Sequence, residues 1–421
     1  MGLLNLLKAS LCTCLPDSPQ LFDEIFVMNA LPPSECLPHD AEYALLIGRV
    51  WRGGDHAGPS VVVVRNGQVF DITAITPTVA DLLDRPDVTA IVGSSAGEPI
   101  GDIEPILLQS QASHQSVQPL PDTLLAPCDT QAVKACGVTF AVSLLERLIE
   151  EQAGGDPVKA HEIRAHFTTF LGKNFSHIRP GSDAAARLKQ DLLERGSWSQ
   201  YMEVGLGPDA EVFTKSQPMS SVGFGAAVGL SPASQWNNPE PEIVLAVNSR
   251  GVPMGATLGN DVNLRDIEGR SALLLGQAKD NNGSCAIGPF IRLFDDRFTM
   301  DTLRHASVSL QIEGERDGFL LSGVSNMAEI SRDPLDLVSQ VYGDHHQYPD
   351  GFMLFLGTMF SPTQDRHVKG EGFTHELGDR VLISTPSLGT LINTVQLSTQ
   401  IPRWEFGVRA LFRSLFERNL Q

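Results

Sequence analysis

Apolar runs broken by short polar turns dominate the chain from residue 43 to 72, the pattern of strands. YALLIGRV at 43–50 reads as one strand. SVVVVRNGQVFDI at 60–72 reads as a hairpin, with Asn66-Gly67 at its turn. TPTVADLLD predicts a short helix capped by Thr76 or Thr78. The stretch 102–129 has no sustained period and reads as a loop joining two domains. From 144 to 195 apolar residues recur three and four apart, in LLERLIEEQ, PVKAHEIRAHFTTFLGK and DAAARLKQDLLERG, with Gly154-Gly155 and Pro180-Gly181 as breaks. After about 201 strands return as EIVLAVN, GFLLSG, GFMLFLGTMF and RVLISTP. No fixed-period repeat is visible, which excludes solenoids and propellers. The expected fold class is α+β and mainly β. It comprises a tail at 1–39, a small N-terminal α/β domain at 40–125 and a main domain at 126–421, with a helical insertion at about 150–198.

The 421 residues leave room for two or three domains. Fifty acidic against 31 basic side chains give a net charge of −19, which argues against a nucleic-acid partner. No apolar run approaches the ~18 residues of a membrane span, so no membrane partner is expected. Six cysteines without a CxxC pair exclude a disulfide scaffold, and Cys12 and Cys14 read as incidental thiols. The N-terminus lacks the basic start and long apolar run of a secretory signal, so a cytoplasmic location is the expectation. Residues 1–27 read either as a tail or as an over-long start preceding Met28.

The densest polar cluster is WNNPEPEIVLAV, GNDVNLRDIEGR and AKDNNGSCAIGPF. Glu240 and Glu242 stand two apart at a strand start and so share a face. Same-face carboxylates repel unless a cation or proton lies between them. Oxygen-only ligands suit Mg²⁺ or Mn²⁺, with Asp261 as a third ligand at the end of the next apolar stretch. The alternative is a solvated strand end.

The succession E-x-E, N-D-x-x-x-R-D, A-K and G-P-F resembles the fumarylacetoacetate hydrolase superfamily. That resemblance implies a fumarylacetoacetase-like mixed β-roll and metal ligation by Glu240, Glu242 and Asp261. It also implies Arg265 and Asp266 in support and Lys279 as the catalytic lysine. FLGTMFSP resembles the family's TGTP strand end and makes Thr358 a substrate contact; Met359 and Phe360 depart from it. Lys215, in VFTKSQPMSS, is expected to line the site. Asn282 and Asp280 flank Lys279 and are expected to orient it or touch substrate. His345, His346 and His375 read as solvated loop residues, and Arg265 either pairs with Asp266 or meets substrate.

The family's hydrolases carry a His and a Glu that activate water. In GVTFAVSLLER, Glu146 remains but Ser143 stands where the His would be, and a hydroxyl without a His is a poor base. The segments WSQYMEVGLGPDAEVFTKSQPMSSVG, SNMAEISRDP and HQYPDGFMLFLGTMF resemble the superfamily's sugar-acid branch, the 2-keto-3-deoxy-pentonate dehydratases. The resemblance implies dehydration of a 2-keto-3-deoxy-D-pentonate to 2-oxoglutarate semialdehyde (2,5-dioxopentanoate) by a homodimer or larger homo-oligomer. Glu146 is the expected base, Lys279 its partner, and Ser143 a catalytic hydroxyl or a helix cap. The alternatives are a 2,4-dioxo-acid hydrolase and a non-catalytic 2-oxo-acid-binding protein.

Overall fold

A computed structural model describes residues 30–420 apart from 55–56, 95–96, 114–119, 171–177 and 195–197. Cys12, Cys14 and the expected tail at 1–27 lie outside the described residues. The N-terminal part contributes β1 (Leu46–Arg52), β2 (Gly58–Arg65), β3 (Gln68–Asp71), β4 (Glu98–Asp102) and β5 (Thr123–Leu125). β6 (Ala132–Gly137) precedes a group of helices and β7 (Glu211–Ser216) follows it. Next come β8 (Ala227–Leu230), β9 (Asn237–Asn238), β10 (Pro241–Val247), β11 (Pro253–Asp261), β12 (Asn263–Leu264) and β13 (Cys285–Leu293). The C-terminal part adds β14 (Ser307–Glu313), β15 (Leu320–Asn326), β16 (Phe352–Phe355), β17 (Arg380–Thr385) and β18 (Gly389–Leu397).

An eleven-stranded sheet runs β4-β3-β2-β1-β13-β11-β10-β16-β6-β7, with β5 also paired to β1. A five-stranded sheet runs β15-β14-β17-β18-β8. β10 is buried along its whole length because both its faces are covered. Ile243, Leu245 and Val247 point into the core shared with the smaller sheet. Val244 and Ala246 point the other way, into a core with Leu82, Leu83, Ile91 and Val92 from two N-terminal helices.

The expected hairpin forms as β2–β3, with Asn66 and Gly67 both at positive φ (50° and 74°), as a type I′ turn requires. Thr78 caps the next helix by accepting the Asp81 N–H at 3.0 Å. The reading of 102–129 as a loop is corrected: Ile103–Ala112 is a helix burying Ile103, Ile106 and Leu107. Pro105 masked it in the sequence, but a first-turn residue needs no N–H donor. The expected boundary near 125 does not interrupt the large sheet, since Leu46 and Ile47 of β1 pair with Arg292 and Ile291 of β13.

The helices also begin earlier than expected, at Ala141–Ala153, followed by Pro157–Phe170, Asp183–Glu194 and Gln200–Leu206. Leu144, Leu148, Leu192, Met202 and Leu206 pack them together, and Ile149, Ala153 and Ala160 pack on Trp236 of the main domain. Gly154 ends the first helix in the left-handed region (φ 62°). Among the described residues no helix is long and apolar enough to cross a membrane.

Candidate active site

Strand pairing creates the cluster. Glu242 of β10 lies opposite Gly259 of β11, and Asp261 at the end of β11 lies opposite Cys285 at the start of β13. Chain ends from adjacent strands therefore meet. Glu240, Glu242 and Asp261, all buried, each offer an oxygen within 4.8 Å of the others. Three carboxylates so close in a dry interior require compensation.

Named donors hold each one. Glu240 Oε1 lies 2.5 Å from Arg147 Nη2, and its Oε2 accepts from Lys279 Nζ at 2.5 Å and from the Thr358 hydroxyl at 2.8 Å. Glu242 Oε2 accepts the Gly357 N–H at 2.7 Å, and its Oε1 lies 3.3 Å from the Thr358 hydroxyl. Asp261 Oδ1 lies 2.8 Å from Lys215 Nζ and its Oδ2 3.3 Å from Lys279 Nζ. Gly357, at φ 104°, leaves no room for a Cβ against the Thr139 hydroxyl, so glycine is what lets its N–H face Glu242.

The charges sort accordingly. Burial alone would raise Glu240, but Lys279 and Arg147 outweigh it and bring the carboxyl down to about 2. Burial pushes Glu242 well above the carboxylate range, and the Asp261 and Glu240 charges add to it. Burial works against the charge on Lys279, yet Asp261, Glu240 and Glu268 hold its ammonium charged.

β7 supplies a further carboxylate. Glu211 and Phe213 alternate onto one strand face, and a register shift against β6 falls at Lys215. Lys215, wholly buried, reaches Asp261 and donates to the Lys279 carbonyl, while Lys279 Nζ lies 5.9 Å from the Phe213 ring centroid. Glu211 lies opposite Gly137 of β6, where any Cβ would collide with Glu211 Oε2. Among the described residues the Glu211 carboxylate has neither hydrogen bond nor ion pair. Burial raises its pKa, with Arg147 and Lys279 offsetting part of the effect and Glu240 and Asp261 adding to it.

The helix Ala141–Ala153 closes the cluster from the other side. Arg147 lies 2.6 Å from Glu268 Oε2 and hydrogen-bonds Glu150, in addition to its contact with Glu240. Arg265, wholly buried over the Trp236 ring at 4.9 Å, donates to Glu150 at 2.6 Å and to Glu146 at 3.2 Å. Glu146 also accepts two bonds from Arg164, at 2.6 and 3.0 Å. Glu146, Glu150, Glu211, Glu240, Glu242, Asp261 and Glu268 thus face Arg147, Arg164, Lys215, Arg265 and Lys279. Fully ionised, these seven carboxylates would exceed the five cations by two negative charges.

The structure brings Glu240, Glu242, Asp261, Lys279, Lys215 and Thr358 together. Other expected members stand elsewhere. Glu146 is not poised as a base: burial would raise its pKa, but the Arg164 and Arg265 guanidinium groups outweigh this and hold it low. Ser143 is a helix cap, donating to the Phe140 carbonyl at 2.8 Å and accepting its N–H at 3.3 Å. Arg265 does not pair with Asp266, which accepts from Ser234 and the Gln235 N–H. Asn282 is exposed and lines a groove with Trp51 and Trp404 instead, and exposed Asp280 accepts from Gln217 rather than orienting Lys279. His375 is not solvated but buried beside Asp379, with Nδ1 at 3.0 Å.

Five members of the cluster escaped the sequence reading: Glu211, Arg147, Glu150, Arg164 and Glu268. The even spacing of Glu211 from Lys215 was the available signal for the first. Arg147 and Glu268 gave none, since the partners that bring them to the site, Glu240 for Arg147 and Arg147 for Glu268, are far away in sequence.

No family model matches the chain. A probable 2-keto-3-deoxyxylonate dehydratase of Haloferax volcanii is 34% identical over 196 residues, 46% of this chain and 63% of that protein. A 2-dehydro-3-deoxy-D-arabinonate dehydratase of Saccharolobus solfataricus is 32% identical over 193 residues, 45% of this chain and 60% of that protein. The matches span less than two thirds of these relatives' length.

Solved structures of 2-keto-3-deoxy-D-arabinonate dehydratase cover 84% of this chain and 99% of their own. One is the apo form (TM-score 0.57, 21% identity) and one a complex with magnesium and 2,5-dioxopentanoate (TM-score 0.57, 22% identity). A fumarylacetoacetate hydrolase from Exiguobacterium antarcticum superposes with TM-score 0.50 at 16% identity. The fold is that of the fumarylacetoacetate hydrolase family. Within that family fold, the sequence likeness is to proteins named as 2-keto-3-deoxy-pentonate dehydratases.

Proposed function

We propose that this chain dehydrates a 2-keto-3-deoxy-D-pentonate to 2,5-dioxopentanoate, with a divalent cation, Mg²⁺ or Mn²⁺, held by Glu240, Glu242 and Asp261. The observation that carries the reading is the buried carboxylate trio beside a charged Lys279 and an unpaired Glu211, in a chain similar to proteins named as such dehydratases. The donor set fits the cation: three oxygen ligands suit a hard ion, and the cluster, once its carboxyls are ionised, has two excess negative charges to match the ion's charge.

A bound cation supplies Lewis-acid polarisation of the 2-oxo acid and so lowers the barrier to losing a proton at carbon 3. Glu211 takes that proton, its pKa raised toward the working range of a general base. Lys279 protonates the departing 4-hydroxyl, which leaves as water. The neutral amine then takes a proton from carbon 5 while Glu211 returns its proton to carbon 3. The resulting enol becomes the aldehyde, and both side chains regain their starting charge. Thr358 and Lys215 position the carboxylates.

The test follows aldehyde and pyruvate from racemic 2-keto-3-deoxy-pentonate, with Mg²⁺ and with chelator. Aldehyde formed only with metal, from half the racemate, supports the reading. Pyruvate would mean carbon–carbon cleavage and overturn it. We also propose that the chain self-associates, supported by exposed Trp404, Phe412 and Phe416 near the C-terminus. A monomeric mass by light scattering would overturn that.

A further inference from the structure

Each of the three carboxylates has one oxygen tied to a fixed group and one turned toward Lys279 or Thr358. Glu240 Oε1 is taken by Arg147, Glu242 Oε2 by the Gly357 N–H, and Asp261 Oδ1 by Lys215. The opposite oxygens, Glu240 Oε2 and Asp261 Oδ2, share the ammonium of Lys279, at 2.5 and 3.3 Å. Among the described residues Glu242 Oε1 has only the Thr358 hydroxyl, at 3.3 Å. Each anchoring group is itself immobilised. Lys215 is wholly buried and donates to the Val262 carbonyl at 3.1 Å. Gly357 is fixed by backbone. The guanidinium of Arg147 also spans Glu150 and Glu268, so it cannot leave Glu240 without abandoning two further buried carboxylates.

We propose that this arrangement selects the metal: Arg147, with Lys215 and the Gly357 N–H, restricts each ligand to one oxygen and so excludes large cations. Mg²⁺ is small and satisfied by single oxygens at octahedral positions. Ca²⁺ takes six to eight oxygens and commonly draws on bidentate carboxylates. Three one-oxygen ligands leave Ca²⁺ short of donors while leaving a small ion with positions for the 2-oxo acid. Arg147 is a positioning residue here, acting through Glu240, and it carries the most weight because Glu240 Oε1 is otherwise free to join a bidentate contact. The inference rests on the proposed metal site and concerns which ion it prefers.

The experiment measures Mg²⁺ and Ca²⁺ dissociation constants by calorimetry on the full chain stripped with chelator, for wild type, Arg147→Met and Arg147→Lys. Outer contacts of this kind typically alter metal affinity by about 10–100-fold. Wild type is expected to favour Mg²⁺, and Arg147→Met to move the ratio toward Ca²⁺ by roughly tenfold or more. Arg147→Lys keeps the charge but loses the rigid fork and is expected to shift the ratio the same way. Equal weakening of both ions, with the ratio unchanged, would show Arg147 to be merely structural and overturn the inference.

Difference infrared spectra of the wild-type chain provide a readout that needs no variant. Mg²⁺ is expected to produce the wide splitting of carboxylate stretches that marks one-oxygen ligation. A narrow, bidentate splitting with Mg²⁺ would overturn the proposal even if the variants fail to fold. Absence of any divalent-ion binding would sink the metal site and the functional reading together, whereas an unchanged ratio would sink only the selectivity.

Discussion

Glu211, half-buried, and Glu146, buried, are both carboxylates near the site, and neutralising each should have opposite consequences. Glu146→Gln removes a negative partner of Arg164 and one of the two carboxylate partners of Arg265. Breaking a buried pair from one side costs up to about 3–5 kcal/mol. An unfolding entropy of about 2.1 cal/mol/K per residue makes that loss roughly 3–6 °C in Tm if all 421 residues unfold together. The folded fraction at 25 °C should retain most of its kcat.

Glu211→Gln removes a carboxylate that burial holds above its ordinary pKa. A raised folded-state pKa means the ionised group opposes folding above the unfolded pKa, so at pH 7 the neutral amide should leave Tm unchanged or raise it. Turnover should fall by about 10²–10⁴-fold, the contribution of a positioned general base, equivalent to roughly 3–5 kcal/mol of barrier. The assay pairs kcat on 2-keto-3-deoxy-pentonate with thermal unfolding, both with saturating Mg²⁺. A Glu211→Gln enzyme with unimpaired kcat would refute the assignment. So would a Glu146→Gln enzyme of wild-type stability that had lost its activity.

Replacing Lys279 with Met should abolish turnover while calorimetry still shows a divalent ion bound; retained activity would rule out its role in proton transfer. Because Glu242 is held protonated by burial and by its two acidic neighbours, an entering cation must displace that proton. Apparent Mg²⁺ affinity should therefore weaken as pH falls. Calorimetry in buffers of different ionisation enthalpy should register proton release, and a buffer-independent heat would contradict the account. Gly357→Ala places a Cβ against the Thr139 hydroxyl at a left-handed position. It should disturb both donors to Glu242 and lower metal affinity by about 10-fold or more; an unchanged dissociation constant would show that the Gly357 N–H does not matter.

What could be read from sequence was what neighbours along the chain decide. Strand period, the Asn66-Gly67 turn and the Thr78 cap are set within a few residues. So is the shared face of Glu240 and Glu242, because alternation along a strand is a local property. Asp261 was a candidate third ligand from its place at the end of the next apolar stretch, whereas the role of Lys279 was legible only through family resemblance. The helix Ile103–Ala112 was missed because its polar residues and Pro105 look like loop, while the face carrying Ile106 and Leu107 gains its meaning from the sheet it covers.

The division between the two sources of information follows the range of the forces involved. Sequence by itself determined a mainly β chain with helices between β6 and β7, a strongly acidic balance and a plausible carboxylate ligand set. Only the tertiary structure decided which charges meet. It placed the Arg147 guanidinium on Glu240, 93 residues away, and locked Glu146 between Arg164 and Arg265. Among the described residues it also left Glu211 as the acid beside Lys279 without a cation of its own. Local sterics fix an element from adjacent residues, but a buried charge takes its pKa from whatever the fold packs within a few ångströms of it, at any separation along the chain.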